Sequence, residues 1–191
     1  MPPKSRITRE MILDATFAIC REQGAEQLSV RAVAARLGCS TQPVMYHFDR
    51  VEDLRRAVWG RADEYQTAYL MHLPEDGDPL LAIGLNYVRF AAEEKRLFRF
   101  LSQSDFYAGQ SITALADAPE LSPVLDVMQR EAGLTADQAR RVFRTLAMLV
   151  HGCASLLANN AMAYDEREIV PMLETALTGM IAAMSMEEEQ A

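Results

Sequence analysis

The sequence predicts an all-α protein of about nine helices, and three observations carry that expectation. Across 191 residues there are 11 Met but no long alternation of Val, Ile and Thr, so the two-residue period of strands is missing. Nine Gly and eight Pro are too few for a many-turned sheet protein. Apolar residues recur instead at three- and four-residue steps between capping residues and glycines. With 50% apolar and 24% charged residues, the balance is that of an ordinary globular chain.

The elements follow in order. Thr8 caps a first helix striped by Met11, Ile12, Ala15, Ala18 and Ile19 and ending near Gln23-Gly24. Ser29 caps a second, in which Val30, Val33, Ala34 and Leu37 share a face, closed by Gly38. Ser40 or Thr41 then caps a third short helix, Gln42 to His47, with Pro43 in the first turn, where a missing N–H costs no helical bond. Two helices joined by a small-residue turn, the second opening on polar side chains, meet the requirements of a helix-turn-helix. A plain αα-hairpin has the same periodicity.

A long helix runs from Val51 to about His72 and breaks at Leu73-Pro-Glu-Asp-Gly-Asp-Pro79, after which Asp78 and Pro79 open another. Residues 80–94 and 95–104 read as two helices, 105–121 as a loop or short helix, and Ser122-Pro123 as the start of one ending at Gly133. Thr135 and Gln138 form a capping box for a long helix carrying Ala139, Val142, Phe143, Leu146, Val150, Cys153 and Leu157. The last helix, about 170–184, begins at Pro171.

Charge is divided along the chain. Residues 1–62 hold ten Lys and Arg against seven Asp and Glu, and residues 63–191 hold nine against twenty, so an overall −8 separates into +3 and −11. A basic end on an acidic body suits a polyanionic partner at that end. The nearly apolar stretches 146–158 and 176–186 fall short of a bilayer span, and the basic amino terminus leads into no apolar signal region, so a cytoplasmic protein without a membrane partner is expected. Cys20, Cys39 and Cys153 are odd in number and form no CxxC, and are read as small buried hydrophobes. With no GxGxxG, GxxxxGK(S/T), HExxH or GxSxG, and with His47, His72 and His151 scattered, neither an enzyme nor a cofactor or metal site is expected.

The run Gly24-Ala-Glu-Gln-Leu-Ser-Val-Arg31-Ala-Val-Ala-Ala-Arg-Leu-Gly38-Cys-Ser40-Thr-Gln-Pro-Val-Met-Tyr46-His-Phe48, followed by Glu52-Asp53-Leu54, closely resembles the DNA-binding domain of TetR-family transcriptional regulators over about residues 8–57. That resemblance implies a DNA-binding domain at 1–56, an effector-binding and dimerisation domain at 57–191, and a homodimer on a palindromic double-stranded operator, usually a repressor released by a small molecule. It places Arg31, Ser40, Thr41, Gln42, Pro43, Tyr46 and His47 at the DNA, and assigns Phe48 to the small core. Two positions depart from the family pattern: Met45 replaces a common aromatic, and Val51 replaces a common phosphate-binding Lys. Arg50, Arg55 or Arg56, with Lys4, Arg6 and Arg9 in a short basic arm, offer backbone contacts in compensation.

Two apolar carboxyl-terminal helices, about 136–158 and 170–186, suit a two-fold four-helix interface, with Gly152 and Ala154 permitting close approach. Leu149-Val-His151-Gly152 resembles an element of one TetR subgroup. The effector of such a protein is unidentified, and its pocket would draw on Tyr87, Phe90, Phe98, Phe106, Tyr107, Met128, Phe143 and His151. The competing reading is a helical ligand-binding or adaptor protein that never touches DNA.

Overall fold

The computed structural model describes residues 7–105, 111 and 121–189, with side chains through Met186. Among these residues there are nine α-helices and no strand. By packing, the chain divides into two compact units, Met1–Tyr65 with Glu94–Phe106, and Gln66–Glu93 with Tyr107–Ala191.

The first unit holds α1 (Arg9–Gln23), a 3-10 turn (Ala25–Gln27), α2 (Val30–Arg36), α3 (Thr41–His47), most of α4 (Val51–Leu70), and α6 (Lys95–Ser102). The Thr8 hydroxyl accepts from the Met11 amide and the Ser29 hydroxyl from the Ala32 amide, so both N-caps read from sequence are made. Gly38 closes α2 at φ +63°, a left-handed conformation that any side chain would strain. Ile12, Ile19, Val33, Val44 and Leu54 are almost wholly buried in one core that Leu13, Ala34 and Phe48 complete. α6 adds Leu97, Phe98, Phe100 and Leu101, all buried, and the Arg55 guanidinium lies 5.3 Å from the Phe100 ring centroid. Arg21 of α1 donates to both Glu94 carboxylate oxygens, and the Tyr65 hydroxyl donates to one of them, so α6 is fastened at its N-cap residue to α1 and α4.

The second unit holds α5 (Pro79–Glu93), α7 (Ser122–Ala132), α8 (Ala136–Asn159) and α9 (Glu166–Glu189). The Asp78 carboxylate accepts from the Leu80 and Leu81 amides, and the Thr135–Gln138 capping box is formed in both directions. One core joins Leu80, Ile83, Val124, Val127, Met128, Val142, Leu177 and Met184; a second joins Leu85, Val88, Leu157, Ile169 and Leu173. A Cβ on Gly84 would lie 3.4 Å from Leu173 and 3.6 Å from Val150, at ordinary van der Waals contact, so α5 packs here against both side chains.

Four expectations are corrected. α4 stops at Leu70 because the buried Asn86 amide donates to the carbonyls of Leu70 and His72, replacing helical partners. α9 begins at Glu166, with Pro171 inside it, because Asp165 caps it: its carboxylate accepts from the Arg167 amide and its carbonyl from the Glu168 and Ile169 amides. Cys20 is buried, its thiol pushed up to about 12 by desolvation, while Cys39 and Cys153 are only partly buried. Finally, α8 and residues Glu166–Met186 are long and apolar enough to cross a bilayer by length and composition, because both helices outrun the apolar stretches visible in the sequence. Their apolar windows are only 22% buried.

Candidate nucleic-acid interface

On α3, inward Val44 is fully buried and Phe48, just past the helix, is 5% exposed. This fixes the helix rotation: Thr41, Gln42, Met45 and Tyr46 all stand on the exposed side, while Pro43 is half-buried. Ser40 occupies the N-cap position, exposed, and its hydroxyl makes no capping bond. Arg31 is exposed in the first turn of α2, and Arg50 is exposed just ahead of α4, where its carbonyl accepts from the Leu54 amide.

The other cations nearby are engaged within the protein. Arg36 forms a bidentate pair with Glu22 at 2.7 and 2.8 Å, Arg61 pairs with Glu10 and Asp14, and the Arg9 guanidinium lies 5.0 Å from the Phe48 ring centroid. Among the described residues, Arg31 and Arg50 make no ion pair, which leaves their charge for an outside anion. Lys4 and Arg6 lie outside the described residues.

His47 does a different job from Tyr46 beside it. Its Nε2–H donates to the Ile7 carbonyl at 3.2 Å, half-buried, so it fastens the chain just ahead of α1 to the end of α3. Tyr46 is 74% exposed and packs its ring edge-on to His47, with centroids 5.1 Å apart. Sequence patterning could not separate these adjacent residues, because the partner of His47 lies forty positions away.

The residues expected to line an effector pocket are only partly assembled. Tyr87 and His151 meet across α5 and α8: with the ring neutral and its proton on Nε2, the Tyr87 hydroxyl donates to Nδ1 at 2.9 Å. Phe90 is fully buried, its ring edge-on to Tyr69 at 5.4 Å; Met128 is 5% exposed in the first core of the second unit, and Phe143 is partly buried against it. Phe98 is buried in the first unit, and Phe106 and Tyr107 lie outside the described residues. Sequence reasoning missed the Arg89–Glu166 pair at 2.8 Å and the Tyr164 hydroxyl bonded to the same carboxylate, which brace α9 against α5.

Burial holds the His151 imidazole below its ordinary value of 6.5. As pH falls through that value the unfolded chain takes up the proton first, so the stability contributed by neutral His151 is present above it and is lost below. Denaturant titrations from pH 7.5 to 5.5 should therefore show a steeper loss for the wild type than for His151→Gln. Parallel losses would contradict the assignment.

An all-helical chain that presents a helix-turn-helix with a polar outer face has the architecture of a DNA-binding transcriptional regulator. Residues 12–58 match the model of bacterial regulatory proteins of the tetR family, residues 80–183 match that of the tetracyclin repressor-like C-terminal domain, and the chain belongs to the TetR family. Among solved structures, the chain is similar to a tetR-family transcriptional regulator from Streptomyces coelicolor, with a TM-score of 0.71 and 17% identity over 95% of this chain and 83% of that one. It is also similar to a substituted TetR from Acinetobacter baumannii in complex with minocycline, at a TM-score of 0.57 and 18% identity over 94% and 97% of the two chains. The multidrug binding protein EbrR, complexed with ethidium, shares the fold at a TM-score of 0.52 and 22% identity, over 92% and 99%. No curated protein matches the chain by sequence.

Proposed function

We propose that this regulator is a homodimeric, cytoplasmic repressor that binds a palindromic operator through two copies of α3 and is released by a small organic effector. The observation that carries the reading is the outer face of α3, where Thr41, Gln42 and Tyr46 stand exposed, together with Arg31 in α2 and Arg50 ahead of α4, both exposed and without an ion pair among the described residues. Gln42 suits the N6/N7 edge of adenine, Thr41 and Ser40 suit base edges or phosphate, Pro43 suits a thymine methyl, and the two arginines suit phosphates. His47 contributes by fastening Ile7, just ahead of α1, to the end of α3.

Dimerisation is supported by the outward faces of α8 and α9. Met148, Leu156 and Met172 are 46%, 47% and 49% exposed and Met186 is 60% exposed, far more apolar surface than one copy needs to show. Gly152 and Gly179 on the same helices have open space where a Cβ would project, which lets a partner helix come close. In a two-fold dimer these helices form a four-helix interface that covers the apolar windows.

Residues 57–191 are the effector and dimerisation part, and the Tyr87–His151 pair is the place for an effector in the second unit. The solved relatives bound to minocycline and ethidium support a small organic molecule as the class. α4 continues directly from the DNA-binding residues into the second unit, so residues 52–72 carry the coupling. An effector that prefers one conformation changes the separation of the two recognition helices, which must reach major grooves about 34 Å apart. The coupling is reciprocal: the effector binds the free dimer more tightly than the operator complex.

Selection of bound duplexes from a random DNA pool tests the reading. The wild type should enrich a palindrome, and Arg31→Ala and Gln42→Ala should each weaken binding roughly tenfold, with Gln42→Ala relaxing the preference at one base pair per half-site. Enrichment of nothing by a folded dimer would leave a helical ligand-binding or adaptor protein as the reading.

A further inference from the structure

The rotation of α3 places one side chain on the outer face whose chemistry differs from the rest. Met45 is 42% exposed, one turn beyond Thr41 and three residues beyond Gln42, and it belongs to none of the apolar cores of the described residues. Its neighbours on that face, Thr41, Gln42 and Tyr46, all carry hydrogen-bonding groups. A thioether donates no hydrogen bond and accepts only weakly, so Met45 reads neither phosphates nor the polar edges of bases. The apolar feature that B-DNA presents in the major groove is the C5-methyl of thymine.

We propose that Met45 is a specificity-determining residue that selects a thymine in each half-site by packing its side chain on the C5-methyl group. An unbranched, polarizable side chain adjusts to the methyl without demanding one rotamer, and the contact removes from water apolar surface that the free protein leaves exposed. The position of the thymine follows from the helix. Residues three apart on one face are about 5–6 Å apart and base pairs are stacked about 3.4 Å apart, so the thymine lies one or two base pairs from the pair read by Gln42. An aromatic with a polar tip at this position would instead hydrogen-bond a base edge or phosphate. Met45 therefore gives this protein an operator preference that depends on a methyl group.

This inference rests on the operator-binding reading, and its test separates the two. With the palindrome enriched by the wild type, each thymine of the half-site is replaced in turn by deoxyuridine, which pairs identically and lacks only the C5-methyl. One such replacement, one or two base pairs from the position relaxed by Gln42→Ala, should weaken wild-type binding about fourfold, and about fifteenfold when made in both half-sites, the effect of one buried methyl each. Met45→Ala should bind the thymine and deoxyuridine duplexes equally, while Met45→Leu should keep most of the discrimination. The partly exposed site makes both variants folded, which melting curves verify. Wild-type affinity that no deoxyuridine changes, or a loss that persists unaltered in Met45→Ala, would overturn the assignment of Met45 and leave operator binding intact. Failure to enrich any palindrome would overturn both.

Discussion

Leu156→Glu should convert the protein to a folded monomer and lower its operator affinity by at least about 100-fold. Leu156 is 47% exposed in the single chain, so a carboxylate there is hydrated in the monomer and the fold is undisturbed. In a two-fold interface through α8 and α9 the same carboxylate would be desolvated twice, once from each copy, at a cost of several kcal/mol per ion. Binding then loses the second half-site, and with it the roughly 10²- to 10⁴-fold advantage of linking two sites in one molecule. Sedimentation velocity alongside titration of the operator reads both effects. A Leu156→Glu protein that remains a dimer with unchanged affinity would place the interface elsewhere.

Phe48→Ala should unfold the first unit selectively. Phe48 is 5% exposed, packs in the core built on Ile12, Val33, Val44 and Leu54, and receives the Arg9 guanidinium on its face. Removing a buried aromatic typically costs about 3–5 kcal/mol, a large share of the stability of a unit this small. A melting transition assigned to the first unit should fall by more than about 10 °C, while the second unit, which lacks this residue, keeps its midpoint. DNA binding should vanish with the first transition. A midpoint within about 2 °C of the wild type would mean that the aromatic is not part of that core.

Features governed by neighbouring residues were legible in the sequence, and features set by distant ones were not. Thr8, Ser29, Asp78 and the Thr135–Gln138 box act over two or three residues, and each makes the bond its spacing predicts. Pro171 misled because proline is common at a helix start and tolerable further in, and the decisive cap, Asp165, lay six residues earlier among other acids. The end of α4 depends on Asn86, sixteen residues beyond Leu70, and no local signal announces it. Gly84 and Gly152 look alike in sequence, yet the first is packed against Leu173 and Val150 and the second is open.

The interface shows the same division. The exposed face of α3 follows from periodicity once Val44 and Phe48 are taken as inward, and that much was readable. The tie from His47 to Ile7 was not, because it spans forty residues. Phe98 fits the pattern of an apolar pocket residue, but α6 packs with α1 and α4, seventy-odd residues earlier for the Arg21–Glu94 contact, and carries that ring into the first unit. The proposed dimer face was visible only as apolar helices; their exposure in the folded chain adds the reason to pair them.

The measurement that tests the central claim most directly is a hydroxyl-radical footprint of the protein on the duplex selected by the wild type. Two symmetric protected tracts should appear on one face of the helix, centred about 10 base pairs or a multiple of that apart, and both should disappear together in Leu156→Glu. A single protected tract, or two whose spacing is unrelated to the helical repeat, would contradict a dimer that reads DNA through paired α3 helices.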